Sequence, residues 1–189
     1  ITDITWTGGE ALLYPNLIGL LKRAKQSGIN NKLITNGMLL AQNDEIKEIC
    51  NYLDSLTLSI DSTNNETNAE LGRGINHYDN IKTILDYVKD KELKLNINTV
   101  VSKKNINQLD ELGNFLNKYN ISSWRVFQFM PLRETAEKNK EQFEISDAEF
   151  ESKKGVFQKF ENIGRVDYRQ EKDMEDKYQE KYNAIVNKR

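Results

Sequence analysis

Strand-like and helix-like stretches take turns along this chain, and no two strands are joined by a short hairpin turn. Short runs of period two fall at 1–7, 32–35, 54–61, 94–101 and 123–130. Between them lie stretches of helical period at 16–27, 44–52, 64–71, 78–91 and 107–119. Leu17, Leu20, Leu21 and Ala24 share one helix face, as do Ile81, Ile84, Leu85 and Val88. A further helix opens on Ser146-Asp147-Ala148-Glu149, the form of a capping box, and runs to about Phe160. A strand that is followed by a helix must pair in parallel with the next strand, through a right-handed crossover. The pattern therefore predicts an α/β layer or barrel of about five parallel strands.

Length and charge remove several function classes. A chain of 189 residues holds one sizeable core. Its net charge of −2 offers no global field for nucleic acid, although 30% of its residues are charged. No apolar run approaches the ~18 residues of a membrane span, and nothing resembles a signal peptide. Cys50, the one cysteine, excludes an internal disulfide and reads as a small hydrophobe on a helix face; the default compartment is cytoplasmic. His77, the one histidine, cannot build a conventional metal site with it, so no residue is expected to ligate a metal. The polar stretch 164–189 reads as an extension of a 1–163 core. Its end is either a helix packed through Met174, Tyr178, Tyr182 and Ile185 or a frayed tail.

Polar groups gather at the ends of the strands. Gly8, Gly9 and Glu10 follow the first, Asn36 and Gly37 the second, and Ser59 and Asp61 close the third. Asn98 and Gln128 sit near the ends of the fourth and fifth. Each alone reads as a loop cap or a solvated acid. In a parallel α/β fold, however, the carboxyl ends of the strands share one rim, where ligands bind. Paired glycines let the backbone lie close to a ligand. Arg73, between Gly72 and Gly74, adds a cation suited to a carboxylate or phosphate.

The segments T-G-G-E-A-L-L, L-I-T-N-G, L-T-L-S-I-D-S and W-R-V-F-Q-F-M-P-L resemble the core of the radical S-adenosylmethionine (radical SAM) enzymes, over about Ile1 to Phe150. Within that family the chain is most similar to viperin-like proteins, through Asp61-Ser62, Gly72-Arg73-Gly74, Asn96 to Val101, Trp124 to Gln128 and Ile145 to Phe150. The resemblance implies an incomplete parallel (β/α) barrel comprising the second to sixth units. It implies S-adenosylmethionine as cofactor, with Glu10 accepting from the methionyl ammonium and Ser59 and Arg73 holding its carboxylate. Gly8, Gly9, Asp61, Asn36 and Asn98 would lie near the cofactor, and Met130 near adenine. Asn96, Arg125 and Gln128 would face a small-molecule substrate. It also implies a four-iron four-sulfur cluster, an electron donor for it, and a 5′-deoxyadenosyl radical that abstracts a substrate hydrogen.

Departures matter equally. The family's three-cysteine motif would precede Ile1, so the sequence is read as a piece of something longer, inactive by itself. Ala11 stands where a proline is usual. Positions aligned with basic residues for a triphosphate carry Asn96, Ser123 and Arg125, which weighs against a nucleoside triphosphate. Peptide-modifying and molybdenum-cofactor-cyclase types stay open. So do a cluster-less nucleoside- or partner-binding domain and an ordinary phosphate-binding barrel enzyme. One edge strand is expected to be open and available for oligomerisation.

Overall fold

Leucine and isoleucine alternating with small polar residues place one face of each strand against helices and leave the other polar. In the computed structural model, which describes residues 1–131 and 138–170, this pattern builds one parallel sheet. Its strands are β1 (Asp3–Trp6), β2 (Asn30–Thr35), β3 (Ser55–Ser59), β4 (Lys94–Val101), β5 (Ile121–Gln128) and β6 (Val166–Arg169). They pair in chain order, every pair parallel, with β1 and β6 at the two edges. The parallel fold is as the alternation predicts, and the sheet is not closed.

Among the described residues six strands stand where about five were expected. The sixth lies in the stretch read as a polar extension; Trp124 pairs with Val166 and Phe127 with Arg169. The expected packing by Met174, Tyr178, Tyr182 and Ile185 lies outside the described residues.

The helices on the covered face are α1 (Leu17–Gln26), α2 (Met38–Gln42), α3 (Asp44–Lys47), α4 (Asn65–Glu70), α5 (His77–Val88) and α6 (Leu109–Leu116). Among the described residues two more follow β5, α7 (Lys140–Phe143) and α8 (Asp147–Ser152), the latter opened by the complete capping box of Ser146 and Glu149. The helix expected over 44–52 is instead α3 followed by a 3₁₀ turn, Glu48–Tyr52. No helix among the described residues is long and apolar enough to cross a membrane.

The core lies between the helices and the outward side chains of the sheet. Leu33, Leu56, Leu58, Ile60, Ile97, Trp124 and Val126 meet Leu21, Ile81, Leu85 and Leu112, all without solvent exposure. Each such side chain contributes about 1.5–3 kcal/mol by leaving water. Trp124 Nε1 donates to Thr99 Oγ1 at 2.9 Å, and that hydroxyl donates to the Ile60 carbonyl at 2.6 Å, so the largest ring is buried without an orphaned N–H. Cys50 is buried in this layer and burial pushes its thiol up to about 11, so it packs as a hydrophobe. Among the described residues no helix layer covers the opposite face of the sheet, and the candidate site is built there.

Candidate functional site at the open face and rim

Strand alternation and register set the inner face as a series of transverse rows. Nearest the strand starts, Asp3 of β1 and Lys32 of β2 pair diagonally between two rows, 2.9 Å apart. Next, Thr57, Asn96 and Ser123 are register partners. Asn96 Nδ2 donates to Ser55 Oγ at 2.8 Å, and Ser123 Oγ donates to Asn96 Oδ1 at 2.7 Å. Asn96 is thus a structural tie at this level of the sheet.

The row above it is Ser59, Asn98, Arg125 and Asp167. Asn98 Oδ1 is buried and has no hydrogen-bond partner. A buried polar acceptor without a donor is uncommon in a folded protein and calls for an explanation.

At the rim, Asp61 is almost fully buried and uses both oxygens. Oδ1 accepts from the Val100 amide at 2.7 Å and Oδ2 from Arg73 Nε at 2.6 Å. The loop carrying Arg73 turns through Gly72 at φ +79° and Gly74 at φ +103°, conformations that side chains with a Cβ rarely adopt. Glycines on both sides therefore allow the loop to return the guanidinium to Asp61. With Nε committed, the two terminal nitrogens of Arg73 are held at the rim. Asn105, which the sequence reading did not single out, ties the ends of β3 and β4 together. Its Nδ2 donates to the Asp61 and Val100 carbonyls, each at 2.8 Å. Its fully buried side chain stands three residues after Ser102, whose amide donates to its Oδ1 at 2.8 Å, a local side-chain bond that closes the turn after β4.

Glu10 is held by bonds within the fold. Its carboxylate accepts from Thr35 Oγ1 at 2.8 Å, the Asn36 amide at 2.9 Å and the Leu12 amide at 3.2 Å. It therefore anchors the glycine loop to the end of β2, with about one of a carboxylate's four lone-pair sites left over. Asn36 Oδ1 caps the next turn, accepting from the Met38 amide at 3.0 Å. A Cβ at Gly8 or Gly9 would meet nothing within 4 Å, so that backbone borders open space.

Gln128 is not on this face. Alternation puts it with Trp124 and Val126, and its Nε2 donates to the Ile145 carbonyl at 3.1 Å and Asp147 Oδ1 at 3.0 Å. It holds the turn into α8. Met130 is buried at the end of β5. Beside Asp61 and Arg73 opens a recess of about 170 Å³ lined by Leu71, Val100, Ser102 and the tilted pair Phe129–Phe143, whose ring centroids are 5.6 Å apart.

Behind Ser59 sits His77, fully buried at the start of α5. Its Nε2 is 2.7 Å from the Ser59 carbonyl, so Nε2 carries the proton and donates, while buried Nδ1 has no partner. Burial pushes its pKa below the usual imidazole value, with Arg73 acting in the same direction.

An open parallel sheet with a glycine-acid loop after its first strand, a clamped arginine and polar rows on its uncovered face places the chain in the α/β class whose ligands sit at the strand ends. The sequence model of the Radical SAM superfamily matches residues 1–116, and the chain belongs to that family. It is 37% identical to an S-adenosylmethionine-dependent nucleotide dehydratase of Flammeovirga pacifica, over 78% of this chain and 51% of that protein. A protein of the same name from Lacinutrix mariniflava is 35% identical, over 78% of this chain and 31% of its own length. The chain thus spans about half of the first of these relatives and about a third of the second. Streptococcus suis SuiB bound to S-adenosylmethionine shares the fold at TM-score 0.67 and 19% identity, over 89% of this chain and 39% of SuiB.

The residues fit the two implied groups differently. Among the described residues no three His, Cys, Asp or Glu side chains gather to hold a metal, and Cys50 lies in the core layer; they do not fit an iron–sulfur cluster. The orphaned Asn98 acceptor, the clamped Arg73 and the open Gly8-Gly9 backbone do fit a zwitterionic, hydroxyl-bearing ligand.

Proposed function

We propose that the chain binds S-adenosylmethionine and a nucleotide on the open face of its sheet, as part of a radical SAM enzyme of the nucleotide dehydratase kind. The observation that carries this reading is the row Ser59–Asn98–Arg125, which holds a buried acceptor without a donor one step from the Asp61–Arg73 pair. The names of the two relatives support the nucleotide part.

Each residue has a task that its chemistry suits. The terminal nitrogens of Arg73 and the Ser59 hydroxyl donate to the methionyl carboxylate. The remaining lone pair of Glu10 accepts from the methionyl ammonium, while its other bonds keep the Gly8-Gly9 backbone against the ligand. Phe129 and Phe143 offer aromatic faces to the adenine. Asn98 Oδ1 accepts from a ribose hydroxyl, and Arg125 meets the substrate. S-adenosylmethionine, when bound, would supply the radical chemistry of the family, and the iron–sulfur cluster which that chemistry uses has no ligand set among the described residues. The protein's part is to fix the distance between the two ligands and to keep water off the reacting carbon.

Calorimetric titration of the chain with S-adenosylmethionine tests this. The expected result is measurable binding that Arg73→Ala weakens by about 1.5–3 kcal/mol, the worth of a hydrogen bond to a charged group. No binding by the chain, or an affinity indifferent to Arg73, rules the reading out. After iron and sulfide reconstitution this chain is expected to stay colourless and to form no 5′-deoxyadenosine.

A further inference from the structure

The strand that the sequence did not announce brings a further cation to the open face, next to Arg125. Val166 and Tyr168 of β6 face the helices, where Tyr168 packs edge-on against Phe150 and its hydroxyl donates to the Lys154 carbonyl at 2.8 Å. Alternation therefore sends Asp167 and Arg169 to the inner face. Asp167 is the register partner of Arg125, and Arg169 of Phe127, so the two arginines stand on neighbouring strands two residues out of step. With strands about 4.8 Å apart and two residues rising about 6.6 Å, their Cα atoms are separated by roughly 8 Å. Two side chains as long as arginine can close on one small anion across that gap.

Both cations are available. Asp167, the acid between them, is already engaged by Arg165, whose Nε donates to its Oδ1 at 2.7 Å. Among the described residues, no hydrogen bond or ion pair engages Arg125 or Arg169. Both side chains are only partly exposed, so they are not simply free in solvent. The same row holds the orphaned Asn98 Oδ1 beside Arg125. An anion for the arginines and a hydroxyl for the asparagine are two ends of one phosphorylated sugar.

We propose that Arg169 and Arg125 form a two-arginine clamp that holds one phosphate group of the substrate, with Asn98 accepting from the hydroxyl-bearing part of the same molecule. The clamp deepens the nucleotide reading and rests on it for the identity of the ligand. It also accounts for the neutral Asn96 and Ser123. Those two satisfy each other one row lower, and the cationic character lies instead on β5 and β6. A pair of guanidinium groups matches the roughly two negative charges of a single phosphate monoester.

The test is calorimetric binding of the four ribonucleoside 5′-monophosphates, the corresponding nucleosides and inorganic pyrophosphate to the chain. The wild type and the variants Arg169→Gln, Arg169→Lys and Arg125→Gln are compared, with thermal melts to check folding. The expected result is at least one monophosphate bound tenfold or more tightly than its nucleoside. Arg169→Gln or Arg125→Gln reduces that preference below threefold without changing nucleoside affinity, and Arg169→Lys restores part of it. A preference that survives Arg169→Gln, nucleotide binding without a preference in the wild type, or no binding of any of these ligands overturns the clamp. Pyrophosphate binding that depends on Arg169, with no nucleoside or nucleotide bound, leaves the clamp standing and removes the nucleotide reading.

Discussion

The lower and upper halves of the open face use the same residue types on the same strands, yet they behave oppositely. Below, Asp3 pairs with Lys32, and Asn96 bonds with both Ser55 and Ser123. Above, Asn98 Oδ1 has no donor, and Arg125 and Arg169 have no acceptor among the described residues. A polar group satisfied by its neighbours contributes to the fold, whereas a buried one left unsatisfied costs stability unless something else completes it. Two asparagines two residues apart on β4 thus do different work because of what their register partners offer.

Asp61, where the halves meet the rim, gives the largest expected effect. Replacing it by alanine leaves the Val100 amide without an acceptor and the Arg73 guanidinium without its clamp. Breaking a buried pair of this kind costs about 3–5 kcal/mol, and the partial exposure of Arg73 puts the expectation near the lower end. Chemical denaturation of Asp61→Ala against wild type measures it. A loss below 1 kcal/mol would mean that the rim relaxes freely, and that the contrast between the halves is not built in.

The asparagine pair sharpens the contrast more directly, with a smaller effect. Asn96→Ala strands two serine hydroxyls and is expected to cost about 1–2 kcal/mol while leaving ligand affinity alone. Asn98→Ala removes an acceptor that is already orphaned, so stability should change by less than about 0.5 kcal/mol while S-adenosylmethionine or nucleotide affinity falls. Parallel denaturation and calorimetry on the two variants decide. If Asn98→Ala destabilises as much as Asn96→Ala, its side chain is another structural tie and the upper row loses its claim.

How much of this was legible beforehand differs between fold and site. The alternation of leucine-rich strands with amphipathic helices is a long-range pattern, and it predicts the parallel sheet. The sixth strand escapes it because β6 is four residues long, with only Val166 and Tyr168 as apolar signal in a polar stretch. Within the site, position along a strand sets the height of a residue, and parity sets the face it takes. Gln128 falls at the end of β5, yet it shares its face with Trp124 and Val126, so it points to the helices and α8. Counting in twos from Trp124 would have found this. The bonds of Glu10 to Thr35 and the Asn36 amide depend on how two loops meet in space, which one sequence does not record.

The smallest effect probes how far the unsatisfied character extends behind the upper row, and it uses the chain's one histidine. His77 donates from Nε2 to the Ser59 carbonyl and keeps Nδ1 buried without a partner. Burial favours the neutral ring and Arg73 adds to that, while the Ser59 carbonyl and Asp61 favour the charged form; burial dominates. The folded protein then binds fewer protons than the unfolded chain near pH 6.5, the ordinary imidazole value. Its contribution to stability is complete above that pH and is lost as pH falls from there through the lower folded pKa. A single imidazole resonance, followed by proton NMR, should titrate with a midpoint below 6.5, and the melting temperature should fall between pH 7 and pH 5. Asp61→Asn should lower the midpoint further, because it removes an attraction that favours the charged ring. A midpoint at or above 6.5 would mean that water or a polar group reaches Nδ1, and that the dry layer behind Ser59 does not exist.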